Sequence, residues 1–445
     1  MPDILDIAQL AVQAAMRNGA EFADASVGSG ISVGVDLENS SLKECEVVRD
    51  YGIGVRAFYR GGMGTATTTS LSEEAARTVG RQAAEMAKAT HGDPDFVCLP
   101  DPQPWEEVPG RWDDAVAGLP VDVVVQWCRA GIEEARQIAP EVALEGGAGL
   151  DYGEKAIASS TGVAYSTRGT SVDINFFAVV QRGDDVGAYF EFDAARRLED
   201  FKPEGVARIA TETALRFLGS RQIAKARMPL VLGPMAVSGL IGAVIGSSNA
   251  ESVQRRRSFM VNRAGTQIAA PCLTVREEPF IPGGLSSTGI DGEGVPKRAR
   301  ALIDKGVLTT YLHNSYTANK EGVENTAHAR RSGSSAGVGI GPSNLHIMPG
   351  NRTEKELIAD IEDGLYIDYG GLQPDSTNGD ISATVDFGFK IENGEIAYPV
   401  ATTMVGTDVF EMLGNIDAVS SDYREEPGSI TPSLRIRDIM IIGGA

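Results

Sequence analysis

Between residues 142 and 192 the chain runs through VALEGGAGL, EKAIASS, VAYSTRG, SVDINFFAVVQ and VGAYFEF, interrupted at Thr161-Gly162 and at Gly183-Asp184-Asp185. Apolar and polar residues alternate with period two, and turn residues punctuate the runs, which predicts an antiparallel meander. A helix over 121–138 precedes it and another over 203–218 follows. Strands grouped together with helices at the ends predict an α+β fold rather than alternating βαβ units.

The flanking segments extend this pattern. An amphipathic helix, ILDIAQLAVQAAMR, closes at Asn18-Gly19 and leads into ISVGVDL and YGIGVRAFYRGGMGTATT, the latter a hairpin expected to turn at Gly61-Gly62. Ser70 is read as the cap of a helix reaching about Lys88, with Glu73 in the capping-box position. A Pro-, Asp- and Trp-bearing loop over 91–120 follows. From Met228 come a strand, MPLVLGP, a helix, and hairpins turning at Asp304-Lys305-Gly306 and Asn393-Gly394, before a last strand, SLRIRDIMIIGG. At 445 residues the chain exceeds one ordinary core. The expected division is an N-terminal α+β domain, 1–110, a middle antiparallel-sheet segment with flanking helices, 111–226, and a large β-rich C-terminal domain, 227–445.

The helix opening that third segment has an unusual inner face. Leu240, Ile241, Val244 and Ile245 recur with helical period, while Gly239, Ala243, Gly246 and Ala250 form a stripe of minimal side chains. Such a stripe lets another backbone approach closely, as in tight helix-to-sheet packing.

Composition narrows the function classes. Sixty-one acidic against 40 basic residues give a net charge of -21, which repels nucleic acid and anionic membranes. No apolar run approaches the length of a membrane span, and the N-terminal helix carries Asp3 and Asp6 in place of a signal peptide's cationic start, so cytoplasm is expected. Cys45, Cys98, Cys128 and Cys272 lack CxxC spacing and read as free or buried thiols.

Four stretches carry a family resemblance: YGIGVRAFYRGGMGTATTTSLSEEA, STRGTSVDINFFAVVQRGDDVGAYFEFDAARRLEDFKPEGVAR, STGIDGEGVPKRARALIDKGVLTTYLHNSYTANKEG and FGFKIENGEIAYPV. Taken together they resemble the TldD/PmbA family of peptidase-related proteins, in its order and over nearly the whole chain. The resemblance implies two kinds of member that pair as a heterodimeric zinc peptidase. One, TldD-like, carries HExxxH on the mid-chain helix, completed by a cysteine near the C-terminus. The other, TldE- or PmbA-like, lacks it. Reading LLHEAVGHG of the catalytic kind against LIGAVIGSS here puts the first His on Gly242, the Glu on Ala243 and the second His on Ser247.

All three positions are therefore without ligand or base. None of His91, His313, His328 and His346 precedes a Glu, and no Cys follows Cys272. Zinc needs about four converging N, S or O donors, so neither a metal site nor a catalytic residue is expected in this chain. Ligands five residues apart on a helix diverge by about 140°, so the helix must bend or end between them, and Gly246 is where that would happen. The glycine is either a remnant of that shape or a packing residue.

The resemblance further implies a TldD-like partner supplying zinc, with this chain helping to enclose a chamber for unfolded peptides that lie there as an added strand. The alternative is a homodimeric peptide-binding protein without protease activity. Regulation of DNA gyrase, implied by the family's historical name, is opposed by the net charge.

Other candidates read more plainly. Arg255-Arg256-Arg257 would grip a carboxylate or complement a helix C-terminus. GMGTAT and GLSSTG lack phosphate-loop spacing. Ser258, His313 and Asp386 come without a GxSxG elbow, and Asp422 with Glu425 or Glu426 is expected in a solvated loop.

Overall fold

The computed structural model describes residues 3–331 and 335–443. Helix α1 (Ile4–Arg17) starts where the Asp3 carboxylate accepts from Leu5 N at 2.8 Å. It leads into β1 (Phe22–Glu38), β2 (Ser41–Tyr59) and β3 (Gly62–Thr68), then α2 (Glu73–Ala89). After the short α3 (Asp114–Ala117) come α4 (Val121–Ile138), β4 (Ala143–Ser159), β5 (Ala164–Arg182), β6 (Asp185–Ala195) and α5 (Val206–Arg216).

All six strands form one antiparallel sheet in the order β3-β2-β1-β4-β5-β6, so strands from either side of residue 110 share a single hydrogen-bonded layer. The sequence runs expected as separate strands are fused: VALEGGAGL and EKAIASS are both β4, and VAYSTRG continues into SVDINFFAVVQ as β5. The gap expected at Asp151-Tyr152-Gly153 is absent, and β4 stays in register with β1 and β5 through it. Two further corrections are local. The β2–β3 hairpin turns at Arg60 (φ 49°) and Gly61 (φ 77°), not at Gly61-Gly62. Ser72, not Ser70, caps α2, its Oγ accepting from Ala75 N at 3.2 Å, and Glu73 is the first helical residue.

Strand alternation gives this sheet two unlike faces. Ala23, Ala25 and Val27 of β1, with Ile53 and Val55 of β2, bury against Ile7 and Ala11 of α1 and Val79 and Ala83 of α2. Farther along the same strand, Val33 and Val35 join Leu150, Ile174 and Phe176 under Cys128 and Ile132 of α4 and Ala210 of α5. Long strands thus serve two cores on one face. The opposite face presents Asp24, Arg56, Lys155 and Thr167, and it turns toward the C-terminal part of the chain.

That part begins with β7 (Ala226–Leu232) and α6 (Pro234–Ser247), followed by α7 (Ala250–Gln254). Among the described residues β7 belongs to a twelve-stranded mixed sheet, antiparallel to 429–442 and parallel to 363–369. The apolar side of α6 seals against it through Leu240, Ile241, Val244 and Ile245. The predicted hairpins at Lys305-Gly306 and Asn393-Gly394 are present, with positive φ at both central residues of each. No described helix is long and apolar enough to cross a membrane.

Gly394 holds φ at 79°, and a Cβ there would meet Ala359 O at 2.7 Å. Gly394→Ala is expected to destabilise the fold by at least about 1 kcal/mol, read as a lower urea midpoint.

Candidate functional site

Helix α6 owes its start to Gly233 at the N-cap and Pro234 in the first turn, where a missing N–H costs nothing. It ends at Ser247, because Ser248 N turns back to Ile245 O and Asn249 begins a new helix by accepting from Glu251 N at 2.9 Å. The basic stretch therefore does not continue the same helix. Arg255 pairs with Glu251 at 2.8 Å on α7, Arg256 takes a left-handed φ of 55°, and all three arginines are exposed.

Gly242, Ala243 and Ser247, which the resemblance sets against the motif, lie on the side of α6 away from its core. The expectation of close backbone packing here is overturned. A Cβ on Gly239, Gly242 or Gly246 would meet nothing within 4 Å, so the glycines border open space, while Ala250, expected on the same stripe, starts α7 and is fully buried. Ser247 Oγ donates to Ala243 O at 2.9 Å, and Ser247 O in turn accepts from Ser258 Oγ at 2.5 Å. A glycine, an alanine and a backbone-bonded hydroxyl do not fit zinc, and no group of His, Cys, Asp or Glu among the described residues is arranged to hold a metal.

The remaining candidates disperse. Ser258 is tied to Ser247, the His313 ring faces Thr317 Oγ1 at 3.3 Å, and the Asp386 carboxyl, pushed up by burial, accepts from the backbone of Gly371. Asp422, Glu425 and Glu426 lie in a strand rather than a loop; Asp422 accepts from Glu354 N and Glu426 from Arg424 Nε. His346 Nε2 lies 3.0 Å from Gly428 O.

Local sequence reading misses a buried charge network between the two sheets. Asp24 and Arg56 are direct cross-strand partners, and Arg56 Nη2 also reaches Glu293 Oε1 at 3.0 Å. Arg331 Nη2 lies 2.6 Å from the same Asp24 carboxylate. Burial would raise the Asp24 pKa, but Arg331 and Arg56 outweigh it and hold it below its ordinary 3.8. Nearby, Glu277 accepts from Lys297 Nζ at 3.1 Å and from Ser343 N and Oγ at 2.7 Å each, with His328 Nε2 at 2.9 Å. Burial again opposes the charge, while His328 and Lys297 keep Glu277 well below its ordinary 4.5. The one signal in the sequence is Asp24 and Ser26, polar residues on the side of β1 opposite its apolar alternation.

Comparisons agree with this architecture. Residues 225–443 match the PmbA/TldA metallopeptidase C-terminal domain, 23–87 its domain 1 and 115–218 its central domain. The chain belongs to the PmbA/TldD metallopeptidase family. Metalloprotease PmbA of Escherichia coli O157:H7 is 26% identical over 434 residues, covering 95% of this chain and 92% of the relative. The crystal structure of TldE from Thermococcus kodakarensis superposes with a TM-score of 0.89 at 25% identity, over 97% of this chain and 99% of that one. A proposed modulator of DNA gyrase from Bacteroides thetaiotaomicron shares the fold, with a TM-score of 0.88 at 24% identity over 99% and 98%.

Two outcomes are expected of this PmbA/TldD family member. Gly242→Ala, whose new methyl meets only open space, raises the stability of the isolated chain by roughly 0.5–1 kcal/mol, read by urea titration. Because the folded pKa values of Asp24 and Glu277 are depressed, their stabilisation is present above the ordinary carboxylate range and disappears as pH falls through the folded values. Glu277→Gln, which strands Lys297, therefore costs about 3–5 kcal/mol at pH 7 and flattens the acid limb of a melting-against-pH curve.

Proposed function

We propose that this chain is the non-catalytic subunit of a two-chain metallopeptidase that cleaves unfolded peptides. A TldD-like partner carries the zinc and the general base, and this chain walls part of the enclosed substrate chamber. The observation that carries the reading is the α6 face: the fold is kept, while the motif positions hold Gly242, Ala243 and Ser247 beside open space. Without a ligand set, the chain has no means of lowering the pKa of a bound water. Its contribution is to shape and restrict access, which needs surfaces rather than reactive groups.

The open α6 face is the surface offered to the TldD-like chain. A second copy of this chain would meet the same face in the homodimeric peptide-binding alternative. Mixing the purified chain with a TldD-like protein is expected to give a stable complex that cleaves an unfolded peptide and is stopped by a chelator. Gly242→Trp, pointing into space, leaves the chain folded but abolishes the complex and its activity. Equal activity from the partner without this chain would overturn the proposal, and a homodimer by light scattering that refuses the partner would favour the alternative.

A further inference from the structure

Between the polar face of the six-stranded sheet and the C-terminal loops lies a cavity of about 220 Å³, lined by Arg111, Lys155, Arg196, Lys297 and Arg331 among others. In a chain of net charge -21 this concentration of cations is anomalous. Arg111, Lys155, Thr167 and Arg196 also border an adjoining groove of about 340 Å³ that runs along Gly28–Ser32 and Asp151–Lys155.

Around the cavity Asp24 is committed to Arg56 and Arg331, Glu293 to Arg56, and Glu277 to Lys297, while Asp50, Asp151 and Glu154 lie along the groove, Asp151 accepting from Ser32 Oγ. Arg111, Lys155 and Arg196 are left without an ion pair among the described residues. Lys155 Nζ donates to Arg331 O at 2.8 Å, and Arg196 donates to the carbonyls of Gly284, Leu285 and Thr170. Gly169 makes room for the Arg196 guanidinium, since a Cβ there would sit 2.9 Å from Nη1. Arg111 Nε and Arg331 Nη1 are buried with no hydrogen-bond partner among the described residues, and the Arg331 side chain is fully buried. Burial, then the charges of Arg331, Arg111 and Arg330, lower the Lys155 pKa to about 8.

Buried cations without counter-charge are costly, and a guanidinium cluster with idle N–H groups matches the lone pairs of a carboxylate or phosphate. We infer that this cavity is an oxyanion-binding site, with Arg111, Lys155, Arg196 and Arg331 as its donors, taking a free phosphate or the carboxylate end of a longer molecule whose remainder lies in the groove. The Asp291 carboxyl, which also lines the cavity, is occupied by the backbone N–H groups of Glu293, Val295 and Ala329.

The test uses the purified chain alone, so its outcome is separate from that of the mixed peptidase assay. Inorganic phosphate, a short peptide as free acid and the same peptide as C-terminal amide are titrated calorimetrically and in thermal melts, with chloride at matched ionic strength as the control. Saturable binding of phosphate or of the free acid, with a melting shift that chloride does not give, is expected. Arg111→Met and Lys155→Met each weaken it by about tenfold or more. Preference for the free acid over the amide identifies a peptide terminus, and phosphate binding alone identifies a small ligand. No shift beyond chloride with any probe at ~10 mM, read on the unsubstituted chain, overturns the inference, as does unchanged affinity in both folded variants.

Discussion

Apolar packing, as of Tyr366 and Phe389 against Phe217, brings the two sheets together, and a buried charge network fixes how they sit. Asp24 holds two guanidinium groups, Arg56 from its own sheet and Arg331 from the C-terminal part, and Arg56 returns the connection through Glu293. Such pairs owe little to net attraction, because desolvation consumes most of it. Their force is conditional: any motion that parts the layers leaves a lone ion in a dry interior, so one relative placement is much preferred over the rest.

That placement depends on the strands being long. At ~3.3 Å per residue a strand of β1's length spans well over one helix-packed core, and the same side of β1 indeed serves α1 and α2 at one end and α4 and α5 at the other. The opposite side is then free to carry charge beside the apolar patch of Ile157 and Tyr165. Asp24, Arg56, Lys155 and Thr167 come together there because the register pairs Asp24 with Arg56 and Lys155 with Thr167.

What could be read from the residues follows from range. The Asn393-Gly394 turn and the α4 boundaries rest on signals spanning only a few residues, the α+β class on the order of strands and helices along the chain, and the structure contains them. The continuity of β4 is illegible because Asp151-Tyr152-Gly153 resembles a turn when its partners β1 and β5 are unknown. The small side chains at Gly242, Ala243 and Ser247 are plain in the sequence, but not whether space or another backbone lies beside them. A network uniting residues 24, 56, 293 and 331 has no local trace beyond two polar residues on one side of β1.

The bare stripe of α6 has one more consequence. With no side chain projecting from Gly239, Gly242 or Gly246, the outermost atoms there are Cα hydrogens and peptide carbonyls. A molecule resting on these glycines would be sorted first by contour, the Ser247 hydroxyl beside them being already turned back to Ala243 O.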